Sequence, residues 1–186
     1  TFVTNKAGRG KKNTIIACIN GTKSEDIIKV LKRIPPEIRM KVKEITLDMA
    51  NNMESASREA FPMAALVTDH FHVVRLAQNA MQAVRIRLGW KELDQENKNI
   101  AKAKENKKKY KPIVLENGDT PKQLLTRCRY IFAKKEEQWT ENQKERARIA
   151  FEKYPELKVA YKHTLQLRAC YGNKNKIDAM IQFKKW

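Results

Sequence analysis

The chain has 186 residues, 41% hydrophobic and 32% charged, enough to bury a core in one domain or in one domain with a large insertion. Lys and Arg number 39 against 21 Asp and Glu, a formal net charge of +18; such an excess resists compaction and points to an anionic partner, nucleic acid first. No apolar run is long enough to span a bilayer, no secretory signal opens the chain, and the dispersed Cys18, Cys128 and Cys170 form no CxxC pair, which excludes a zinc knuckle and fits reduced thiols in a cytoplasmic protein.

Thr1 to Thr4 reads as a strand; because Thr1 is not Met, the chain is expected to begin partway through a domain. Residues 6 to 13 form a basic, Gly-containing turn without the spacing of a phosphate loop. Thr14 to Ile19 is β-branched and apolar, which predicts a buried strand closed by Asn20-Gly21. Ser24 is a plausible N-cap, with Glu25 and Asp26 in the first turn of a helix whose Ile27, Ile28, Leu31 and Ile34 share one face. Pro35-Pro36 ends it, and a shorter helical piece follows through Lys43.

Glu44 to Leu47 reads as a strand ending in Asp48, Asn52 to Phe61 as a helix with Ala56, Ala60 and Phe61 inward, and Ala64 to Thr68 as a second buried strand ending in Asp69. A long helix is predicted from His70 to about Leu88. Strand, helix, strand, helix in this order gives an α/β fold with a partly parallel sheet. From about Gly89 the character changes: Lys91 to Lys111 is a solvated helix or a flexible basic arm, and Leu115 to Pro121 a turn-rich loop. Helical segments follow at Lys122 to Lys135, Thr140 to Tyr154, Glu156 to Tyr171 and Lys176 to Trp186, with Thr140 and Gln143 fitting a capping box. The expected division is therefore an α/β unit over residues 1–89 and an all-α unit over 90–186.

Two acids stand at predicted strand ends, Asp48 in Ile-Thr-Leu-Asp-Met and Asp69 in Leu-Val-Thr-Asp-His-Phe-His. Groups at the carboxyl ends of strands in open α/β sheets converge on one rim, and carboxylates there suit Mg²⁺, a hard cation with a preference for oxygen. Two such metals can drive phosphodiester attack. The plainer alternative is that each Asp caps the helix that follows it. His72 makes an Asp-x-x-His with Asp69 at a helix start; it either orients a carboxylate or bonds to backbone. Structural zinc is rejected because His163 is the sole histidine besides His70 and His72.

The run Ile45-Thr46-Leu47-Asp48-Met49, then Ala60-Phe61-Pro62, then Val67-Thr68-Asp69-His70-Phe71-His72-Val73-Val74-Arg75-Leu76 resembles the core of the bacterial ISL-three insertion-sequence transposases. The stretches from Leu124 to Tyr130, Lys134 to Thr140 and Tyr154 to Tyr161 resemble that family's helical insertion. The resemblance implies a partial RNase H-like core, a mixed sheet with helices, followed by an all-α insertion domain. It also implies a DDE-class enzyme that cuts and joins DNA with an Asp-Asp-Glu triad and two divalent metals. Asp48 matches the second acid and is the expected metal ligand; Asp69 and His72 match an auxiliary Asp-x-x-His motif. The first Asp and the third Glu are expected to lie outside this chain, so the fragment is expected to be inactive, with Mg²⁺ or Mn²⁺ belonging to the full-length parent. The alternative is a non-catalytic basic helical module that binds nucleic acid.

The expected partner is double-stranded DNA, transposon ends and target, with no membrane association and with a homo-oligomer as a further expectation. The candidate DNA contacts are Lys6, Arg9, Lys11 and Lys12 in the basic loop, Arg75 in the motif, and an arm with Lys102, Lys104, Lys107, Lys108 and Lys109. Phosphate contacts of this kind predict sequence-independent binding that weakens steeply with salt.

Overall fold

A computed structural model describes residues 1–8 and 11–186. The chain divides into two compact units, Thr1–Val73 and Val74–Trp186. The first carries all the strands found among the described residues: β1 (Phe2–Thr4), β2 (Ile15–Cys18), β3 (Glu44–Leu47) and β4 (Ala65–Thr68). Between them run α1 (Ser24–Leu31), α2 (Pro36–Arg39) and α3 (Asn51–Ala60). The strands fall where the β-branched runs predict them, but they make two separate pairs. β1 and β2 are antiparallel, with an irregularity between Val3 and Thr4; β3 and β4 are parallel.

The parallel pair needs a crossover, and α3 supplies it. It presses Ala56, Ser57 and Ala60 inward, small side chains that let a helix lie close to its neighbours. Ala56 and Ala60 form the core of this unit with Ile19, Ile27, Leu31 and Phe61. Arg39 ties the far end of the crossover to α2 by donating to the carbonyl of Ala60 at 2.6 Å.

Two expectations need correction here. The strands predicted as buried are largely exposed: Ile15 is 62%, Ile16 52% and Val67 38% accessible. Each ladder has only two strands, so each strand keeps an open edge and much of one face without cover. Ser24 is not the N-cap of α1; it is the first helical residue, and Lys23 precedes it in extended conformation without a side-chain bond to the helix.

The second unit is helical. α4 (His70–Glu105) starts at the end of the first unit and continues for 36 residues as one helix, past the predicted stop near Leu88. Its distal part is rich in Lys and Glu and carries Ala101 and Ala103, which favour helix without needing burial. After Glu105 the chain turns at Lys107, whose φ of 52° is left-handed, and Lys108 donates to the carbonyl of Ala103 at 2.8 Å. A lysine at such a position pays a Cβ penalty that glycine does not, so Lys107→Gly is expected to raise stability by about 0.5–1 kcal/mol in urea unfolding.

α5 (Pro121–Arg127), α6 (Glu141–Lys153), α7 (Pro155–Gly172) and α8 (Lys176–Lys185) follow. The predicted Lys122–Lys135 helix is thus shorter and gives way to turns after Arg127. Thr120 and Gln123 close a reciprocal capping box on α5, with bonds of 2.9 and 3.3 Å. At α6 the predicted Thr140–Gln143 pair is present: the Gln143 side chain accepts from the Thr140 N–H at 3.2 Å.

The core of this unit joins Leu88 of α4 with Leu124, Phe132, Ala150, Leu157 and Tyr161. Its large polar rings are anchored at their tips: Trp139 Nε1 donates to the carbonyl of Ile131 at 2.8 Å, Tyr161 to that of Lys134 at 2.9 Å, and Tyr154 to Glu92 at 2.7 Å. Cys128 is buried in the same core, and burial pushes its thiol up from 9.0 to about 12. A thiol whose folded-state value is raised stabilises the fold in full below pH 9.0 and loses that contribution as pH rises towards about 12. Native protein is therefore expected to react with an aromatic disulfide reagent at exposed Cys18, while Cys128 and Cys170 react only on unfolding.

Candidate active site

The site is built by the parallel β3–β4 pair. Their residues align without a shift, Glu44 with Ala65 through to Leu47 with Thr68. The next residue on each strand is an aspartate. Asp48 and Asp69 are therefore brought to the same rim of the sheet, and the Asp69 N–H donates to the carbonyl of Leu47 at 2.8 Å. Both are half-buried and both line one open cleft of 530 Å³. One wall of that cleft is β1, with Phe2, Val3 and Thr4; the other is β3, with Ile45, Thr46 and Leu47. Its floor is apolar, from Ile27, Leu31, Met53 and Phe61 among others. Among the described residues β1 and β3 form no ladder with each other, and residues of both line the cleft.

Each acid also does what the plainer reading expected. Asp48 Oδ1 accepts from the Ala50 N–H at 3.0 Å, an Asx turn leading into α3. Asp69 Oδ1 accepts from the Phe71 N–H at 3.0 Å and so caps α4. These bonds use one oxygen of each carboxylate and fix its rotamer. Capping and ligation are compatible: the turn positions the group, and a second oxygen has its own lone pairs.

His72 lies on the first turn of α4, where its N–H donates to the carbonyl of Asp69 at 3.1 Å and its ring meets Phe71 edge-on at 5.5 Å. The imidazole of His70 also lies beside the carboxylate, with Nδ1 3.6 Å from Asp69 Oδ1, and adjacency at the capping turn is what places it there.

The basic candidates separate. Lys6 reaches over to β3, donating to Thr46 Oγ1 at 3.3 Å and lying 3.7 Å from Glu44 Oε1. Lys11 and Lys12 are exposed, and Arg9 lies outside the described residues. Arg75, Lys102 and Lys104 are exposed on α4, and Lys107, Lys108 and Lys109 are exposed where that helix ends.

Two carboxylates on one rim suit a hard cation. Among the described residues no group of three or more His, Cys, Asp or Glu side chains could hold a metal ion. No helix there is long and apolar enough to cross a membrane.

A family model described as a transposase matches residues 1–186. The chain belongs to the ISL-three family of DDE transposases. Neither the comparison with curated proteins nor that with solved structures gives a match. Membership of the family fits the sequence blocks that carried the resemblance: Phe61 ends α3 in the core, and Tyr154, Leu157 and Tyr161 are buried in the helical unit.

Proposed function

We propose that this chain is the part of a DNA transposase that carries the second acid of an Asp-Asp-Glu set. Asp48 is that acid and a metal ligand, Asp69 with the histidines beside it supports the same rim, and the first Asp and the Glu come from outside residues 1–186. The complete protein cuts and joins transposon DNA by metal-dependent phosphodiester attack, on an RNase H-like core whose insertion is the helical part from about residue 90. The observation that carries this reading is the in-register β3–β4 pair, which delivers two aspartates to one rim over one cleft. A DNA-binding module needs no such pair.

The two oxygen donors support the same reading, since one or two carboxylates hold Mg²⁺ together with substrate phosphates. So do the edges of β1 and β3 that make no ladder among the described residues. A further strand seated in the cleft that both line would bring another acid to the rim. The test is cleavage and joining of DNA with Mg²⁺ or Mn²⁺ by a longer polypeptide that supplies those elements. Activity that disappears with Asp48→Asn supports the proposal. A longer polypeptide that binds DNA but never cuts it would favour the non-catalytic module.

A further inference from the structure

The helical unit carries a second feature that the catalytic reading does not use. Between α6 and α7 lies an open groove of 330 Å³, and it adjoins a wider trough of 790 Å³ between α7, α8 and the turn before α6. Lys162 and Glu136 line both, so the two form one continuous channel along α7. Six cations border it: Lys135, Lys144, Arg148, Lys158, Lys162 and Arg168. The acids on its walls are Glu136 and Glu137.

The cations are not equal. Lys144 is neutralised by Glu141 at 2.8 Å, and Arg148 is held by Glu116 at 2.5 Å and Glu152 at 3.0 Å. Lys135, Lys158, Lys162 and Arg168 have no carboxylate within ion-pair distance among the described residues. Lys158 and Lys162 stand one turn apart on α7, about 6 Å along its axis, and both are exposed. The next position of that row is Gln166, which can also meet a phosphate oxygen.

The floor decides what kind of contact the channel offers. Trp139, Phe151 and Tyr161 lie beneath the narrower groove, but their rings are already committed to one another, with centroids 5.5–6.4 Å apart. Trp139 is 8% and Tyr161 1% accessible. Phe151 is partly buried and stacks on Phe132 with centroids 5.2 Å apart, so the floor is firm and apolar and leaves little ring face on which an unstacked base could lie. The lysine row above it is therefore suited to the sugar-phosphate backbone and not to base readout.

We infer that this channel along α7, with Lys158 and Lys162 at its centre, is a docking surface for the phosphate backbone of double-stranded DNA. The inference rests on the transposase reading for the identity of the polyanion, but its evidence is independent of Asp48 and Asp69.

The experiment measures binding of the whole chain to a duplex of arbitrary sequence across a salt series. Lys158→Glu with Lys162→Glu is compared with a charge-matched control on the exposed surface of the other unit, Lys23→Glu with Lys29→Glu. Loss of two phosphate contacts should weaken binding on the order of tenfold and reduce the slope of log K against log salt by about 1.8. Lys158→Arg with Lys162→Arg should bind as the parent does, and circular dichroism and thermal melting check that the variants are folded. Equal losses in the groove and control variants would mean that net charge alone matters and would overturn the assignment. So would unchanged DNA binding with loss of binding to a polyglutamate chain, which would point to an acidic protein. If the parent chain itself fails to bind DNA, the transposase reading of this segment falls with it; if the parent binds and only the groove variants fail to differ, the groove alone is excluded.

Discussion

Asp48→Asn, placed in a polypeptide that supplies the remaining acids, is expected to lower DNA cleavage and joining by more than about 100-fold with the fold intact. Residues that merely orient metal ligands already cost about 10–100-fold when replaced, so a ligand itself should cost more. The fold should survive because the one structural bond of Asp48 needs only an oxygen. Its Oδ1 accepts from the Ala50 N–H, and an asparagine Oδ1 does the same at an Asx turn. Stability measured by thermal melting should therefore move by less than about 0.5 kcal/mol. Asp69→Asn is the informative comparison. Asparagine caps a helix as well as aspartate does, so the bond to the Phe71 N–H persists and α4 should still start at His70. A loss of activity at 69 comparable with that at 48 would make both carboxylates ligands; full activity of Asp48→Asn would remove position 48 from the catalytic set.

Much of this geometry could be read before the structure because it rests on local rules. Ile-Thr-Leu-Asp and Leu-Val-Thr-Asp announce β-branched strands that end in a turn-forming acid, and an intervening helix makes the two strands parallel. What failed was burial, since a side chain's exposure depends on the strand beside it. Ile15 and Ile16 have the composition of interior residues, yet the two-stranded ladder leaves them open. The continuity of α4 past Leu88 was left open for a related reason: Lys91 to Lys111 reads as a solvated helix or a basic arm, and the helix is what forms as far as Glu105. After Leu88 its apolar period fades, and the helix is carried on by propensity, which weakly patterned Lys, Glu and Asn residues do not reveal by spacing. His72 is a candidate on the resemblance, its spacing alone favouring a backbone-bonded histidine, whereas the approach of the His70 ring to Asp69 depends on its rotamer and is visible only in the fold. The channel along α7 was also out of reach, because Lys135 and Lys144 join Lys158 and Lys162 only when the turn before α6 folds back beside α7.

Asp119→Ala is expected to produce the largest loss of stability in the helical unit, about 2–4 kcal/mol. In the sequence Asp119 sits in an Asn-Gly-Asp turn and looks like an ordinary surface acid. In the fold it is 1% accessible and lies between two arginines. Arg127 contacts its Oδ1, Arg146 Nε lies 3.1 Å from Oδ2, and the Asn117 side chain donates to Oδ2 at 3.1 Å. Its own carbonyl accepts from the Leu115 N–H at 2.9 Å, so one residue joins the loop to α5 and α6. Removing one member of a buried ion cluster costs about 3–5 kcal/mol, because the partners keep their desolvation penalty without its compensation. The value here is set lower because Arg127 is 53% and Arg146 28% exposed, so both can regain water. Asp119→Asn should cost less, as the amide oxygen still accepts one bond. Urea unfolding followed by tryptophan fluorescence measures the difference, since Trp139 lies in the core that α6 shares. Arg146→Met should lose less than Asp119→Ala: its aliphatic replacement carries no charge to strand, while Arg127 still pairs with the carboxylate. An Asp119→Ala loss below about 0.5 kcal/mol would show that the cluster is no more than a surface ion pair in effect.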